Sequence, residues 1–395
     1  MKNERLLLLT LALVQFAHIM DFMILMPLGP QLMRLFRVNP QQFSLLVSSY
    51  TITAGIFGFA GAFVIDRFDR KYALMAMFGC FALGTLACAF APNYPILLIT
   101  RSLTGASGGM LGAIILAIVA DVIPLERRAS AMGIVTSGFS AASVFGVPFG
   151  LFLATKAGWN APFLFLGVAS LGVAGCIWAF IPLVNRHLHA DQPRQRPLEI
   201  ITNVTSNPNQ LRALLFMMLL MLGNFTVIPF ISPYLVANVG FPEDKLTYVY
   251  LIGGALTIFA SPLMGKLADR FGHFKSFRFF MLLYLIPILA ITNMPVIPMA
   301  LVLTVTALFF VFGSGRMIPA MTMISATVTP ETRGSFMSLN SSVQQLSVGA
   351  ASLIGGFIIA KGPSGELLNY SYVGILAVVT SLAAIVVSRG LIAKS

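Results

Sequence analysis

Charged residues are scarce in this sequence. Only 10% of its 395 residues are Asp, Glu, Lys or Arg, whereas 57% are hydrophobic and the mean hydropathy is +0.89. A soluble globular protein carries roughly 25% charged residues to cover its surface in water. The composition therefore argues against a soluble protein of this size and indicates a chain whose solvent is lipid.

Cysteine is rare, and no nucleotide-binding loop is present. The three cysteines, Cys80, Cys88 and Cys176, lie inside apolar runs without CxxC or Cys/His spacing. This pattern argues against a disulfide framework and a structural zinc site. No G-x-x-x-x-G-K-[ST] sequence occurs, so no ATPase is built into the chain.

Long apolar runs dominate instead. A helix that spans a membrane needs about 20 predominantly apolar residues. Twelve runs of this kind are bounded by charges, Pro or Gly, so we predict an all-α membrane protein with twelve transmembrane helices. The predicted helices cover approximately residues 6–28, 43–65, 73–91, 96–120, 131–153, 162–183, 211–235, 246–267, 276–294, 299–324, 336–360 and 371–389.

The basic residues lie mostly in alternate loops. One set of loops holds 18 Lys and Arg, and the other set holds five. By the positive-inside rule, both termini are predicted to be cytoplasmic. The same distribution accounts for the net charge of +12 without a nucleic-acid partner. Two basic residues remain inside predicted helices, Arg101 and Arg316.

The longest loop, 184–210, contains Pro193, Pro197 and Pro208 and therefore predicts a linker rather than a helix. We predict an N-terminal six-helix bundle over 1–185, a cytoplasmic linker over 186–210 and a C-terminal six-helix bundle over 211–395.

The two predicted halves also repeat in sequence. Residues 66–71 (Asp-Arg-Phe-Asp-Arg-Lys) match 269–273 (Asp-Arg-Phe-Gly-His) 203 positions later. The set Glu126, Arg128, Ser130 and Met132 recurs 205 positions later as Glu331, Arg333, Ser335 and Met337. Two matches at nearly one offset indicate a duplicated six-helix unit, which is typical of one large class of transporters.

At these residues the chain resembles the Major Facilitator Superfamily. Residues 265–273 (Gly-Lys-Leu-Ala-Asp-Arg-Phe-Gly-His) are similar to the family's loop signature G-x-L-A-D-R-x-G-R-K, whereas the first copy has Ala62 and Asp69 where Gly is usual. Because Asp tolerates a left-handed turn better than most residues, we expect the turn to survive at Asp69. Arg101 followed by Gly105 resembles the R-x-x-x-G motif of helix four.

Helix five resembles the corresponding motif of proton-coupled exporters. The matching residues are Gly138, Gly146, Pro148 and Gly150, with Val147 where Gly is more usual. The three glycines share one helix face and allow a close approach to a neighbouring helix. The resemblance implies a twelve-helix drug:proton antiporter, similar to sugar-efflux and multidrug-efflux members. Two bundles that rock around a central cavity would then use the proton gradient, with no cofactor.

The two loop signatures predict a conformational latch made of Asp66, Arg67, Arg70, Asp269 and Arg270. A carboxylate at the end of helix two or eight can meet the positive N-terminal end of a helix in the opposite half, near Ser335 for Asp66 and near Ser130 for Asp269. We expect these contacts to close the cytoplasmic side and to break when the halves rock. The alternative is that the basic residues only fix topology.

Among the 13 acidic residues, only Asp21 lies well inside a predicted span. A charged Asp at mid-bilayer costs on the order of 2.5–3.5 kcal/mol on insertion scales, so it is expected to face the protein interior and to have a partner. Arg101 is the candidate partner, because counting about 1.5 Å of rise per residue places both at similar depth.

The predicted Asp21–Arg101 pair has the chemistry of a proton carrier. An opposite charge disfavours protonation of a carboxylate and loss of water favours it, so a site whose hydration changes can take up and release a proton. His18, three residues earlier on the same face, either shares the proton or is a hydrogen-bonded packing residue. The alternative for Asp21 is a fixed ion pair that never titrates.

A sparse polar set marks the second half. Arg316 either holds a substrate anion or is satisfied by backbone carbonyls and amides such as Gln344 and Gln345. Asn224, Tyr234, Asn340 and Gln344 are candidates to line a substrate cavity, and the alternative is that they join helices by hydrogen bonds.

Other functions are weighed by their motifs. Residues 105–109 (Gly-Ala-Ser-Gly-Gly) match G-x-S-x-G and resemble the motif of rhomboid intramembrane proteases. A hydrolase of the G-x-S-x-G type needs its serine on a strand-to-helix turn, but this serine lies inside a predicted spanning helix. A rhomboid-like pair needs a histidine on a neighbouring helix, and His18 is the one histidine outside the predicted loops. Helix packing is the alternative for these glycines.

A facilitator or a proton symporter on the same fold is a further alternative to the predicted exporter. The sequence has no repeated loop that resembles a selectivity filter, so nothing in it indicates a channel.

The expected protein is a secondary transporter of the bacterial inner membrane, crossing it many times with both termini in the cytoplasm. Its expected partners are a small-molecule substrate, H⁺ and the lipid bilayer, with no nucleic acid, and a monomer is expected. Proton-coupled efflux of a drug, sugar or amphipathic metabolite by alternating access is the predicted activity, and the chain is not expected to be an enzyme.

Overall fold

The computed structural model describes residues 4–65, 67–185, 201–202, 204–329 and 332–391. The helices of the first part are α1 (Glu4–Ile24), α2 (Gly29–Leu35), α3 (Pro40–Ile65), α4 (Arg70–Ala89), α5 (Tyr94–Val122), α6 (Leu125–Ala141), α7 (Val147–Ala157) and α8 (Ala161–Phe180). They are followed by α9 (Pro208–Phe225), α10 (Ile231–Ala237), α11 (Leu246–Phe271), α12 (His273–Thr292), α13 (Met299–Ser325), α14 (Arg333–Ile358) and α15 (Tyr370–Ser388).

Short elements interrupt or join these helices. A π-helix covers Ala142–Gly146, and 3-10 turns cover Ile228–Phe230 and Glu243–Lys245. Two short antiparallel strands, β1 (Ala360–Lys361) and β2 (Leu367–Leu368), form a hairpin between α14 and α15. The prediction of an all-α chain is therefore confirmed for the described residues, apart from this hairpin.

Eleven segments of the described chain are long and apolar enough to cross a membrane. Two of them join several elements: Ser130–Ala157 contains most of α6, the π-helix and α7, and Pro208–Ala237 contains α9 and α10. The 26-residue α14, where the eleventh of the twelve helices was predicted, is not among them. Its apolarity is diluted by Ser335, Ser338, Asn340, Ser341, Ser342, Gln344, Gln345 and Ser347. The count of twelve stays a prediction.

Large apolar side chains lie on the outside of the helices. Phe259 is 77% exposed, Trp178 68% and Val386 65%. Such a surface is unfavourable in water and is favourable in hydrocarbon, where a helix also satisfies its own backbone hydrogen bonds. The fold therefore agrees with the lipid solvent that the composition indicates.

The described residues form two compact units. The first draws on Met1–Leu25 and Ser49–Pro197, and the second on Met26–Ser48 and Leu198–Ser395. Residues 26–48, which the sequence assigns to the first bundle of 1–185, thus group with the second unit. Of the predicted linker, 186–210, the stretch 186–200 lies outside the described residues. The predicted division at 185 and 211 stays a prediction.

In the first unit, α1 lies against α6, the π-helix and α8, and α4 lies against both α5 and α8. The core between these helices includes Leu11, Phe78, Phe81, Leu111 and Ile114, each with 0% exposure. Burying side chains of this size is the main contribution to the association of helix faces that point away from lipid.

In the second unit, α9 lies against α14 and α15, while α12 contacts α13 and α15, and α11 contacts α13. The short α2 lies against α10. Arg34 of α2 forms a bidentate ion pair with Glu243, with N–O distances of 2.5 and 3.0 Å. Because the Arg34 side chain is 63% exposed, solvent screening limits this pair to about 0–1 kcal/mol.

The two copies of the loop signature turn differently. In the second copy, Gly272 between α11 and α12 has a φ of +91°, which favours glycine. At the matching position, Asp69 has a φ of −58°, so the expectation of a left-handed turn at Asp69 is wrong. The Asp69 carboxylate instead accepts a hydrogen bond from the Lys71 backbone N at 2.8 Å and caps the N-terminus of α4.

Candidate functional site

A fully buried ion pair joins α1 and α5 in the first unit. Arg101 Nη1 donates to Asp21 Oδ2 at 2.7 Å and to the Asp21 backbone oxygen at 3.3 Å. Both side chains are 0% exposed. Thr85 of α4 donates its hydroxyl to Asp21 Oδ1 at 3.1 Å. The structure therefore brings together the two charged residues that the sequence places at one depth.

Aromatic side chains surround the arginine of this pair. The Arg101 guanidinium carbon lies 4.5 Å from the centre of the Tyr50 ring and 5.9 Å from that of Phe163. His18 Nδ1 lies 2.8 Å from the Tyr50 hydroxyl, so His18 is connected to Arg101 through Tyr50. Within the described chain, Nε and Nη2 of Arg101 have no hydrogen-bond partner, and a charge with spare donors can exchange partners when water enters.

Glycines of α5 allow α3 to come close to this site. A Cβ at Gly105 would lie 2.2 Å from the Tyr50 backbone oxygen, and one at Gly109 would lie 2.1 Å from that of Ala54. The Ser107 hydroxyl between them donates to the Leu103 backbone oxygen at 3.2 Å. The G-x-S-x-G pattern at 105–109 is therefore used for helix packing. It also explains why a glycine follows Arg101 by four residues, since this close approach brings Tyr50 over the guanidinium.

Gly105→Ala is expected to destabilise the protein by about 1–3 kcal/mol, because the new methyl group overlaps the backbone of α3. Gly112→Ala is the matched control on the same helix, since a Cβ there meets nothing within 4 Å. The control is expected to be neutral or to stabilise by up to about 1 kcal/mol through higher helix propensity. Thermal unfolding of the purified variants in detergent compares the two, and equal melting temperatures would contradict the packing argument.

The glycines of the predicted fifth transmembrane helix, which corresponds to α6, the π-helix and α7, face α1. Helix α1 carries Asp21. A Cβ at Gly138 would lie 2.3 Å from the Ala12 backbone oxygen, and one at Gly150 would lie 2.6 Å from Ile24 Cδ1. Gly146 is slightly less tight, with its Cβ position 3.2 Å from Met20. The glycine face therefore holds the backbone of α1 close to the fifth span.

Pro148 explains the π-helix that precedes it. Proline cannot donate to the carbonyl four residues earlier, and its ring clashes with that carbonyl in an α-helix. The π-helix at Ala142–Gly146 widens the turn immediately before this proline. Single-turn π segments inside α-helices occur frequently at functional sites.

The predicted latch residues are placed as follows. Arg70, 8% exposed, forms an ion pair with Asp121 of the same unit, with an N–O distance of 3.3 Å. Arg67 is exposed, as are Asp269 and Arg270 at the end of α11. Asp66 lies outside the described residues. The latch between opposite halves stays a prediction.

The second unit contains a different arrangement around Arg316. The Arg316 side chain, 0% exposed, lies with its guanidinium carbon 4.3 Å from the centre of the Tyr284 ring. The Tyr284 hydroxyl donates to Asn224 Oδ1. Two of the predicted cavity residues, Asn224 and Arg316, are thus connected through a tyrosine that the sequence analysis did not single out.

The other predicted cavity residues have separate environments. The Tyr234 hydroxyl donates to the Met294 backbone oxygen at 3.2 Å, which joins α10 to the loop between α12 and α13. Asn340 is 1% exposed, and its Oδ1 has no hydrogen-bond partner among the described residues. Gln344 is half-buried on α14. A role of these side chains in substrate binding stays a prediction.

Tyr50, Thr85 and Tyr284 complete the two charged sites but were missed by the sequence analysis. Each is a single polar side chain inside an apolar run. That position was the only feature of the sequence that could have indicated a role at a charged site. Elimination works for Asp21 because spanning acids are rare, whereas tyrosine and threonine occur in many spans without a common role.

Comparisons with known proteins agree with this fold. A family model described as the Major Facilitator Superfamily matches residues 11–315 and 213–394. Inner membrane transport protein YdhP of Escherichia coli (strain K12) is 27% identical over 347 residues, which cover 87% of this chain and 85% of that protein. A probable sugar efflux transporter of Mannheimia succiniciproducens is 23% identical over 347 residues, which cover 86% of this chain and 82% of that protein.

Solved structures share the fold. A bacterial homologue of the human lysosomal transporter Spinster, in an inward-facing and unoccupied conformation, has a TM-score of 0.78 at 17% identity and covers 98% of this chain and 97% of its own. A D-xylose-proton symporter has a TM-score of 0.78 at 14% identity and covers 97% of both chains. At these identities the likeness concerns the fold alone.

Proposed function

Because the chain belongs to the Major Facilitator Superfamily and is therefore a multi-pass membrane transporter and not an enzyme, we propose that it exports a small organic molecule in exchange for protons. The observation that carries this proposal is the Asp21–Arg101 pair, fully buried with an N–O distance of 2.7 Å. Asp21 is the proposed proton carrier, Arg101 its counter-charge, and Thr85 the hydroxyl that orients the carboxylate.

The proposed cycle uses competition for one carboxylate. When the outer side opens, water reaches Asp21 and a proton replaces Arg101 as its partner. When the site faces the cytoplasm, the proton leaves, the ion pair forms again, and the substrate binds. The energy is supplied by the proton gradient, of which the membrane potential contributes about 2.3 kcal/mol per charge per 100 mV.

Two observations support export as the direction of transport. One is the glycine face of the fifth span in the first unit, and the other is the name of a relative. The glycine face of the fifth span, with the Gly138 Cβ position 2.3 Å from the Ala12 oxygen, carries the motif that resembles proton-coupled exporters. A relative is named a probable sugar efflux transporter. Import by proton symport and passive facilitation remain as outcomes of the test.

The proposed location is the bacterial inner membrane, with both termini in the cytoplasm. This orientation rests on the 18 Lys and Arg in one set of loops against five in the other. The proposed active form is a monomer that uses a small-molecule substrate and H⁺. A tag accessible to protease only in everted vesicles would support cytoplasmic termini.

The first experiment identifies a ligand and then measures coupling. A thermal-shift screen of purified protein against sugars, organic cations, organic anions and amphipathic drugs finds a ligand, because a molecule that binds only the folded state stabilises it. Proteoliposomes are then loaded with a pH-sensitive dye and exposed to that ligand. For an antiporter, uptake of the ligand is expected to be accompanied by proton release from the vesicles.

The sign of the proton movement separates the three activities. Protons that move opposite to the ligand support antiport. Protons that move with the ligand indicate a symporter, and ligand movement without protons indicates a facilitator, so either result overturns the proposal.

A further inference from the structure

Each of the two units contains a fully buried arginine, and the two arginines differ in whether a carboxylate balances their charge. In the first unit, Arg101 has a carboxylate partner in Asp21, with both side chains 0% exposed. In the second unit, Arg316 is equally buried, and no carboxylate in the described part of the chain forms an ion pair with it. Among the described residues of the second unit, an ion pair joins Arg34 and Glu243, with a 63% exposed arginine side chain. Arg316 therefore carries a buried charge without a counter-charge from the described residues.

Two nitrogens on one edge of the buried Arg316 guanidinium make no hydrogen bond with the described residues. Its Nη1 lies 3.9 Å from the Met281 sulfur, and its face lies over the Tyr284 ring at 4.3 Å. Nε and Nη2 have no hydrogen-bond partner among the described residues. These two nitrogens form the side-on fork of the guanidinium, whose N–H bonds point in parallel and match the two oxygens of a carboxylate.

The same fork is open in Arg101, but the charges of the two sites differ. At Arg101 the positive charge is matched through Nη1 by Asp21, whereas at Arg316 the corresponding nitrogen lies 3.9 Å from the Met281 sulfur, and the described residues around Arg316 offer it a neutral tyrosine and no carboxylate. Stacking on Tyr284 compensates a guanidinium only in part, because a ring offers a quadrupole and not a charge. A buried unpaired charge is unfavourable in a membrane, so the site is complete only with an anion.

We infer that Arg316 is the receptor for the acidic group of the transported molecule, and that this molecule is a small organic carboxylate. The inference rests on the proposed function, because it names the substrate class of that exporter. The carboxylate accepts two hydrogen bonds from Nε and Nη2 of Arg316. The Tyr284 ring lies over the face of the guanidinium and leaves that edge to the carboxylate. The hydrogen bond from the Tyr284 hydroxyl to Asn224 fixes the ring.

A carboxylate substrate also fixes the charge moved in one cycle. An anion that leaves the cell is equivalent to one positive charge entering, and each exchanged proton adds another. With one proton per substrate, two charges move inward in each cycle. An inside-negative membrane potential therefore accelerates export of such a substrate, whereas a neutral sugar exchanged for one proton moves only one charge.

The test uses purified full-length protein in detergent and measures thermal unfolding. The probes are benzoate, phenylacetate and hexanoate, with benzamide as neutral control, benzylammonium as cationic control and equimolar sodium chloride as inorganic control. At least one carboxylate is expected to raise the melting temperature by about 3 °C or more at saturation. The amide, the ammonium and chloride are expected to leave it unchanged.

Variants locate the effect. Arg316→Gln is expected to abolish the shift, and Arg316→Lys to weaken the apparent affinity about tenfold, since lysine keeps the charge and loses the fork. Asp21→Asn is expected to keep the shift, because it changes proton coupling and not the anion receptor. If the unsubstituted protein shows a shift that depends on Arg316 but moves no protons with its ligand in proteoliposomes, the proposed exporter is overturned and the anion site stands.

Several results overturn the inference. They are an equal shift in Arg316→Gln, stabilisation by the neutral or cationic probe alone, an equal effect of chloride, and no stabilisation by any of the carboxylates. Unliganded Arg316→Met supplies a second measurement: it is expected to melt at or above the temperature of the unsubstituted protein, because it removes an unpaired buried charge. Failure of Arg316→Met to fold also overturns the inference, since the arginine would then be a structural group.

Discussion

Asp21→Asn is expected to abolish uphill transport, with at least about a 100-fold loss of proton-driven accumulation. The amide has nearly the same shape as the carboxylate and can still accept a hydrogen bond from Thr85, which lies 3.1 Å from Asp21 Oδ1. It cannot bind or release a proton in the physiological range. Exchange of labelled for unlabelled ligand across the vesicle membrane is expected to remain measurable, because exchange requires no net proton movement.

The measurement compares two assays on the same proteoliposomes. Accumulation of labelled ligand follows an imposed pH gradient, and exchange follows at equal pH on both sides. Asp244→Asn is the matched control, because Asp244 is an exposed acid in the turn before α11, and it is expected to transport normally. Unchanged accumulation in Asp21→Asn would remove Asp21 from the mechanism and leave the Asp21–Arg101 pair as a fixed structural contact.

The charged site of the first unit was largely readable from the sequence. Apolar runs define the spans, so a single acid inside a run stands out, and the rise of about 1.5 Å per residue places Asp21 and Arg101 at one depth. The structure brings their side chains to 2.7 Å. The glycine four residues after Arg101 was visible as a motif, but its physical role became apparent only from the Tyr50 backbone that it admits.

Other features depend on contacts between residues far apart in sequence. Tyr50 and Thr85 reach the pair from two further helices, and Tyr284 meets Arg316 across α12 and α13. Helix periodicity gives the face of a residue but not which neighbour faces it. The same limit applies to residues 26–48, which group with the second unit, where α2 lies against α10.

Local chemistry also separates the two copies of one motif. The repeat predicts equal turns at positions 69 and 272, yet Gly272 uses a φ of +91° and Asp69 a φ of −58°. A side chain that can cap the next helix offers the backbone an alternative to the left-handed turn. Duplicated sequence therefore predicts that a turn exists, whereas the residue type decides how that turn is formed.

Arg101→Met is expected to be the most destabilising single substitution at the site, by about 3–5 kcal/mol. It leaves the 0% exposed Asp21 carboxylate without a counter-charge. The loss is expected to be smaller at mildly acidic pH than at mildly alkaline pH, because a proton can then neutralise the stranded carboxylate. Thermal and denaturant unfolding of the purified protein at several pH values measure both effects.

The double variant Asp21→Asn/Arg101→Met separates loss of the pair from loss of packing. Removing both charges leaves no unpaired ion, so we expect it to recover all but about 1 kcal/mol of the stability. Arg34→Met makes the same chemical change in an ion pair whose arginine side chain is 63% exposed, and is expected to cost at most about 1 kcal/mol. If Arg101→Met and Arg34→Met cost the same, or if the double variant is as unstable as Arg101→Met, the buried charge of Asp21 is not what Arg101 balances. The proton would then have no competing partner at Asp21, and the proposed exchange between proton and guanidinium would lose its physical basis.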